Sequence, residues 1–147
     1  MKHVYLMGLI LFLMMSCKNQ QTLTTDKVNS NFVIIETSSC EGFCPVYKMT
    51  ISKDGYATFD GQFNTKKLGL HTYRFSETTV EPLFKQLSQL DFNNFVEEES
   101  YITDLPETRI TYKDKYIIIK DVRKVSESYM LLVESLKQLV SSTGYIN

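Results

Sequence analysis

Cys40 and Cys44 stand four positions apart in "SSCEGFCPVYKMTISKDG", with Gly42 between them and Pro45 directly after. Two sulfurs at that spacing offer three kinds of chemistry. As thiolates they hold a soft metal such as copper. As a dithiol with one depressed pKa they exchange electrons with another disulfide. Bonded to each other they close a small ring and stiffen a loop.

The flanking residues weigh these three. The C-x3-C-P spacing is similar to that of copper-delivery proteins of the thioredoxin fold, where the motif opens a helix and a distant histidine completes the site. Here His71 would be the third ligand, but Pro45 leads into the alternating run "VYKMTIS", a strand pattern. There is no second cysteine pair for a tetrathiolate zinc site. A thioredoxin-like pair uses a two-residue spacing at a helix N-terminus, and neither condition holds. A staple fits better. Gly42 tolerates a tight ring, Pro45 fixes its exit, and the loop-entropy term is about 2 kcal/mol. A stapled loop shows Glu41 and Phe43 outward, as a recognition surface requires. With Tyr47 just beyond, these are candidate binding residues. Thiol-redox or copper chemistry at Cys40 and Cys44 is the alternative, and anchoring the start of the next strand is the purely structural one.

The third cysteine has another chemistry. "MKHVYLMGLILFLMMSCKN" opens with Lys2, runs apolar from Val4 to Met15 and ends at Ser16-Cys17. The run is short for a bilayer span and has the flanks of a signal peptide over residues 1–16. "LMMSC" resembles a bacterial lipobox, cut before Cys17. Cys17 would then carry a thioether diacylglycerol and a fatty acyl group, such as palmitate, on its new amine. Several acyl chains hold a protein firmly where one does not. Export implies an oxidising compartment, in which Cys40 and Cys44 are left to pair with each other. Residues 17–31, "CKNQQTLTTDKVNSN", are polar and aperiodic, a flexible tether. No acidic run follows Cys17, so the expected address is the outer membrane, facing the periplasm.

Elsewhere the chemistry is sparse. "YITDLPETR" puts Asp104 before Leu105-Pro106. Such an aspartate bonds nearby backbone amides in a turn, and a binding edge of Tyr101 and Asp104 is the functional reading. "EEES", Glu97 to Ser100, reads as a solvated acidic loop, short of the spaced oxygens calcium needs. A Ser-His hydrolase finds one histidine beyond the signal peptide and no G-x-S-x-G. His71 alternates with Tyr73 and Phe75 and reads as a partly buried structural histidine. The net charge is -1 and the basic residues are scattered, so nucleic acid is not an expected partner. No cofactor and no metal are called for, and no reaction is marked.

These residues need elements to hold them. The chain has 147 residues, 43% of them apolar and 22% charged, enough for one domain with its own core. "FVIIET" has the length and branching of a buried strand. "VYKMTIS" puts Tyr47, Met49 and Ile51 on one face and turns at "KDG" into "YATFDG". "LHTYRF" is a fourth strand. In "SETTVEPLFKQLSQL", Val80, Leu83, Phe84, Leu87 and Leu90 recur at helical spacing. Pro82 places the regular start near Thr78 or Thr79, so that it falls in or near the first turn. "DFNNF" is a turn whose phenylalanines plug the core. "ETRITYKDKYIIIK" is a hairpin turning at Lys113-Asp114. "SESYMLLVESLKQLV" is a helix with the stripe Tyr129, Leu132, Val133, Leu136, Leu139 and Val140, stopped by Gly144. The expected fold is one α+β domain over residues 32–147, two layers in the order β-β-β-β-α-β-β-α. Its antiparallel sheet has five or six strands, and both amphipathic helices lie on one face.

Four segments together, "CEGFCPVYKMTISKDG", Gly69 before the fourth strand, "YITDLPETRI" and "KDVRKV", resemble the uncharacterised lipoprotein and secreted-domain family called domain of unknown function 6438. The likeness runs from about Phe32 to Val140. It implies an exported, often lipid-anchored domain and no activity. The expected function is a lipid-anchored cell-envelope module that binds an envelope protein or ligand. A structural subunit of an envelope assembly is a further alternative.

Overall fold

The computed structural model describes residues 32–102 and 104–146. The signal peptide expected over 1–16, the lipidation site Cys17 and the tether over 17–31 lie outside the described residues.

Four strands come first: β1 (Phe32–Thr37), β2 (Val46–Ser52), β3 (Tyr56–Phe63) and β4 (Gly69–Arg74). Helix α1 (Glu77–Gln89) follows, then strands β5 (Thr108–Tyr112) and β6 (Lys115–Ile119), a 3-10 turn (Val122–Lys124) and helix α2 (Glu127–Ser142). The order is the one the sequence predicts. All six strands form one antiparallel sheet in the order β4-β3-β2-β1-β5-β6. β1 is therefore central, and the second hairpin adds to the edge that β1 would otherwise expose.

Alternation decides which side chains meet the helices. Val33 and Ile35 of β1, Tyr47, Met49 and Ile51 of β2, Ala57 and Phe59 of β3, and Ile110, Ile117 and Ile119 of the second hairpin are buried. α1 buries Val80, Leu83, Phe84 and Leu87 against them, and α2 buries Tyr129, Leu132, Val133, Leu136 and Val140. Phe92 and Phe95 of "DFNNF" pack on the core, and the Phe95 ring meets Tyr129 edge-on at 5.0 Å.

Two local features make the turns. Gly55 has φ 88°, and a Cβ there would come within 2.3 Å of the Phe75 carbonyl oxygen, so only glycine fits. Lys113 and Asp114 both have positive φ, 51° and 63°, the two-residue hairpin turn of the primed type.

Pro82 and Leu139 depart from expectation. α1 starts at Glu77, because the Ser76 hydroxyl accepts a hydrogen bond from the Thr79 amide at 3.2 Å. Pro82 thus lies in the second turn. Pro82 is exposed, where a missing helix hydrogen bond costs least. Leu139 is half-buried at the crevice between the helices, beside Leu83 and Pro82, and does not lie under the sheet.

Candidate functional site at the stapled end of the sheet

Because β1 pairs with both β2 and β5, the segments 38–45 and 104–107 lie side by side at the same end of the sheet. Their base is closed by two bonds. The Ser38 amide donates to the Glu107 carbonyl at 2.9 Å, and the Glu107 amide donates to the Ser38 hydroxyl at 2.8 Å. Across the first loop, the Thr37 hydroxyl donates to the Pro45 carbonyl at 2.7 Å and accepts from the Tyr47 amide at 3.3 Å.

Higher up, Cys40 and Cys44 form a disulfide with a Cα–Cα distance of 5.8 Å, within the usual range. Between them, the Glu41 amide donates to both oxygens of the Asp104 carboxylate, at 2.9 and 3.1 Å. Asp104 does more than shape its own turn: it clamps a loop 63 positions earlier in the chain. The disulfide fixes the loop's shape and the carboxylate fixes where the loop sits. Phe43, inside the stapled loop, is 92% exposed, and Tyr101, three positions before Asp104, is 90% exposed. The Glu41 side chain is exposed too.

Tyr47 does not belong with them. It is 2% exposed and stacks on Phe59 with ring centroids 5.5 Å apart. Its strand alternates core-in from Tyr47 onward, so proximity to Cys44 in sequence does not bring it to the surface. Burial pushes its hydroxyl pKa up to about 12. Nor do Cys40, Cys44 and His71 assemble as a copper site. Both sulfurs are in the disulfide. His71 pairs with Phe59, which pairs with Met49, so it lies two strands from β2 and five residues along from Cys44. At about 3.3 Å per residue, that is more than about 15 Å. His71 Nε2 lies 2.9 Å from the Leu68 carbonyl oxygen, and the ring packs on Tyr145. Among the described residues no three His, Cys, Asp or Glu side chains converge as a ligand set.

Two acids that the sequence does not mark as site residues hold the rest of this end together. Asp121, 3% exposed, caps the 3-10 turn by accepting from the Arg123 amide at 3.1 Å. It also binds the guanidinium side-on, Nε–Oδ1 and Nη2–Oδ2 both at 2.8 Å, and accepts from the Ser100 hydroxyl at 2.9 Å. The Arg123 hydrogen bonds hold its carboxyl well below the usual carboxylate range, against the opposing effect of burial. Glu97, read from sequence as part of a solvated acidic loop, accepts from the Lys120 and Asp121 amides at 2.8 and 2.6 Å. The signal for Asp121 was present: an aspartate at a strand's end, with arginine two residues on, is a capping pattern. For Glu97 there was none, since its partners lie more than twenty residues away.

Beside these segments lies a cleft of about 320 Å³. Ile102, Leu105, Ile119 and Val133 supply apolar wall, and Lys120, Arg123 and Lys137 supply positive charge. Arg123 is paired with Asp121, and Lys120 Nζ lies 3.5 Å from Glu107.

The chain belongs to the family described as domain of unknown function (DUF6438), whose model matches residues 31–141. That span holds the stapled loop, the Asp104 clamp and the Asp121 cap. No curated protein matches the chain.

Proposed function

We propose that this protein is a lipid-anchored module of the bacterial cell envelope that binds a partner through the stapled end of its sheet. The observation that carries the reading is the pairing of rigidity with exposure. A disulfide fixes the shape of one loop and a carboxylate ties that loop to a second segment, and an aromatic ring about nine-tenths exposed stands in the loop and another three positions before the carboxylate. Fixing a loop lowers the entropy lost on binding, and exposed aromatics are the side chains that anchor interfaces. Where a loop serves only to connect strands, neither the clamp nor two bare rings is required.

Anchoring at Cys17 supplies the address, with the domain facing the periplasm from the outer membrane. Supporting this are the apolar run ending at Ser16-Cys17 and the polar stretch after it.

Photoreactive residues at position 43 or 101, in cells making the full chain, test the recognition surface. Both should crosslink to one common envelope component, while the same probe at Lys53, at the other end of the sheet, should not. Absence of an adduct at 43 and 101, or an equal yield at 53, refutes the assignment. Cys17→Ala should move the protein from the membrane to the soluble fraction or leave it unprocessed. Unchanged membrane retention and mass would exclude the anchor.

A further inference from the structure

The face of the sheet turned away from α1 and α2 carries a pattern that appears only once the strands are in register. Read from β4 to β6 through Cα partners, one row is Leu70, Asp60, Lys48, Glu36, Arg109, Ile118. The next is Thr72, Thr58, Thr50, Ile34, Thr111, Tyr116. The first row is apolar at both ends and alternates acid, base, acid, base between them. Read backwards, every acid becomes a base and both ends stay apolar.

That symmetry has a geometric meaning. A two-fold axis parallel to the strands, lying between β2 and β1 in the plane of contact, lays the row on its own reversal. Lys48 then faces Glu36 of a second copy, Asp60 faces Arg109, and Leu70 faces Ile118. In the next row Thr50 faces Ile34, and Thr58 faces Thr111. A two-fold perpendicular to the strands and running along this row would set like charge on like charge. We infer that this face pairs with a second copy of the chain about an axis parallel to the strands. Self-complementary patches are what isologous dimers use.

Local contacts suit the pairing. Lys48 Nζ lies 3.1 Å from Glu36 Oε1 within one copy, so two copies complete an alternating cluster of four charges. Arg109 sits over the Tyr116 ring at 4.6 Å, which flattens that edge. Leu70 is 73% exposed and Tyr116 57%, apolar surface that the contact covers. Strand spacing of about 4.8 Å and a rise of about 3.3 Å per residue give a face of about 24 by 17 Å. With side-chain relief, the two sides together bury about 1,000 Å², at the lower end for specific interfaces. Sheet twist turns stacked sheets by about 30°, so register is tightest at β2 and β1. Association is accordingly modest in solution, and confinement of both copies to one surface raises it.

The test uses the full chain purified in mild detergent, with the dimer constant measured by sedimentation equilibrium. Lys48→Glu and Glu36→Lys should each weaken association at least about tenfold, because like charges then face each other. The double variant E36K/K48E should return to within about threefold of the parent. Thr50→Lys, which puts a charge at the centre of the contact, should weaken it as much and serves if a charge reversal disturbs folding. Circular dichroism checks folding in each case. A chain monomeric at every concentration reached, or variants that all associate equally, overturns the inference. So does a Thr50→Cys chain that crosslinks in membranes to a protein of different mass and not to itself.

Discussion

The Asp104 clamp and the disulfide act on the same few residues, so their energies should not add. One N–H shared by two carboxylate oxygens is one charge-assisted bond, and it lies at the surface. Asp104→Ala should therefore cost about 1 kcal/mol. The ring closed by Cys40 and Cys44 contributes about 2 kcal/mol by loop entropy. A domain of this size has a total of about 5–15 kcal/mol, so neither change unfolds it. At about 3–6 °C per kcal/mol, the melting temperature should fall by about 3–6 °C for Asp104→Ala and about 6–12 °C on reduction. The clamp pays off only if the loop is already shaped to meet it. With the disulfide reduced, the Glu41 amide samples many positions, and Asp104→Ala should then cost less than half its value in the oxidised protein. The assay is a thermal double cycle: parent and Asp104→Ala, each oxidised and reduced, by circular dichroism. Hydrogen exchange at the Glu41 amide gives the local readout and should accelerate in all three perturbed forms. The Ser38–Glu107 bonds at the base should keep their protection throughout. Full additivity would refute the coupling, and cooperative loss of the fold on reduction would refute the view that the staple is local.

Three further outcomes bear on the fold. Leu136, fully buried on α2, should cost about 2–5 kcal/mol when truncated to alanine, read from urea unfolding. Gly55→Ala should destabilise by more than about 2 kcal/mol, because the added carbon meets the Phe75 carbonyl and the positive φ is strained as well. Asp121 has a folded pKa below its unfolded value of about 3.9, so its contribution is complete above that value and is lost as pH falls through the folded one. Thermal stability of the parent should therefore drop more steeply below about pH 4 than that of Asp121→Asn, whose curve starts lower at neutral pH; parallel acid limbs would show that the carboxylate's charge contributes nothing.

Most of the fold was legible because its strands and helices differ in period. "VYKMTIS" alternates and α2 repeats at helical spacing, so both face assignments survive, apart from Leu139 at the margin of its stripe. The start of α1 was less legible because two signals compete there. Pro82 argues for a late start, while Ser76 argues for an early one through a bond to Thr79. The cap wins because an exposed helix face tolerates a missing N–H, whereas an uncapped first turn leaves several amides without partners. The strand order beyond the hairpins was not readable. Pairing of β5 with β1 depends on contacts more than seventy residues apart, such as Ile35 with Ile110, and no local pattern encodes it.

The site divides along the same line. Cys40, Gly42, Cys44 and Asp104 stand out by residue type, and a disulfide spanning four positions is a local object. What Asp104 does is not local, since its partner is a backbone amide with no side-chain signature. Tyr47 shows the converse: nearness in sequence to a stapled loop drew it into the candidate set, while the alternation of its own strand already assigned it to the core. Where neighbourhood and period conflict inside a strand, period decides, because a side chain cannot change faces without shifting the register of every pair beside it. The same rule gives the open face its order. A strand that buries Ile35 must turn Ile34 and Glu36 outward, and a neighbour that buries Met49 must turn Lys48 and Thr50 outward. Core burial thus fixes which charges stand side by side on the far face, leaving their signs free. Those signs alternate across the four inner strands in a row that reads as its own complement in reverse, an arrangement that burial of the opposite face does not require.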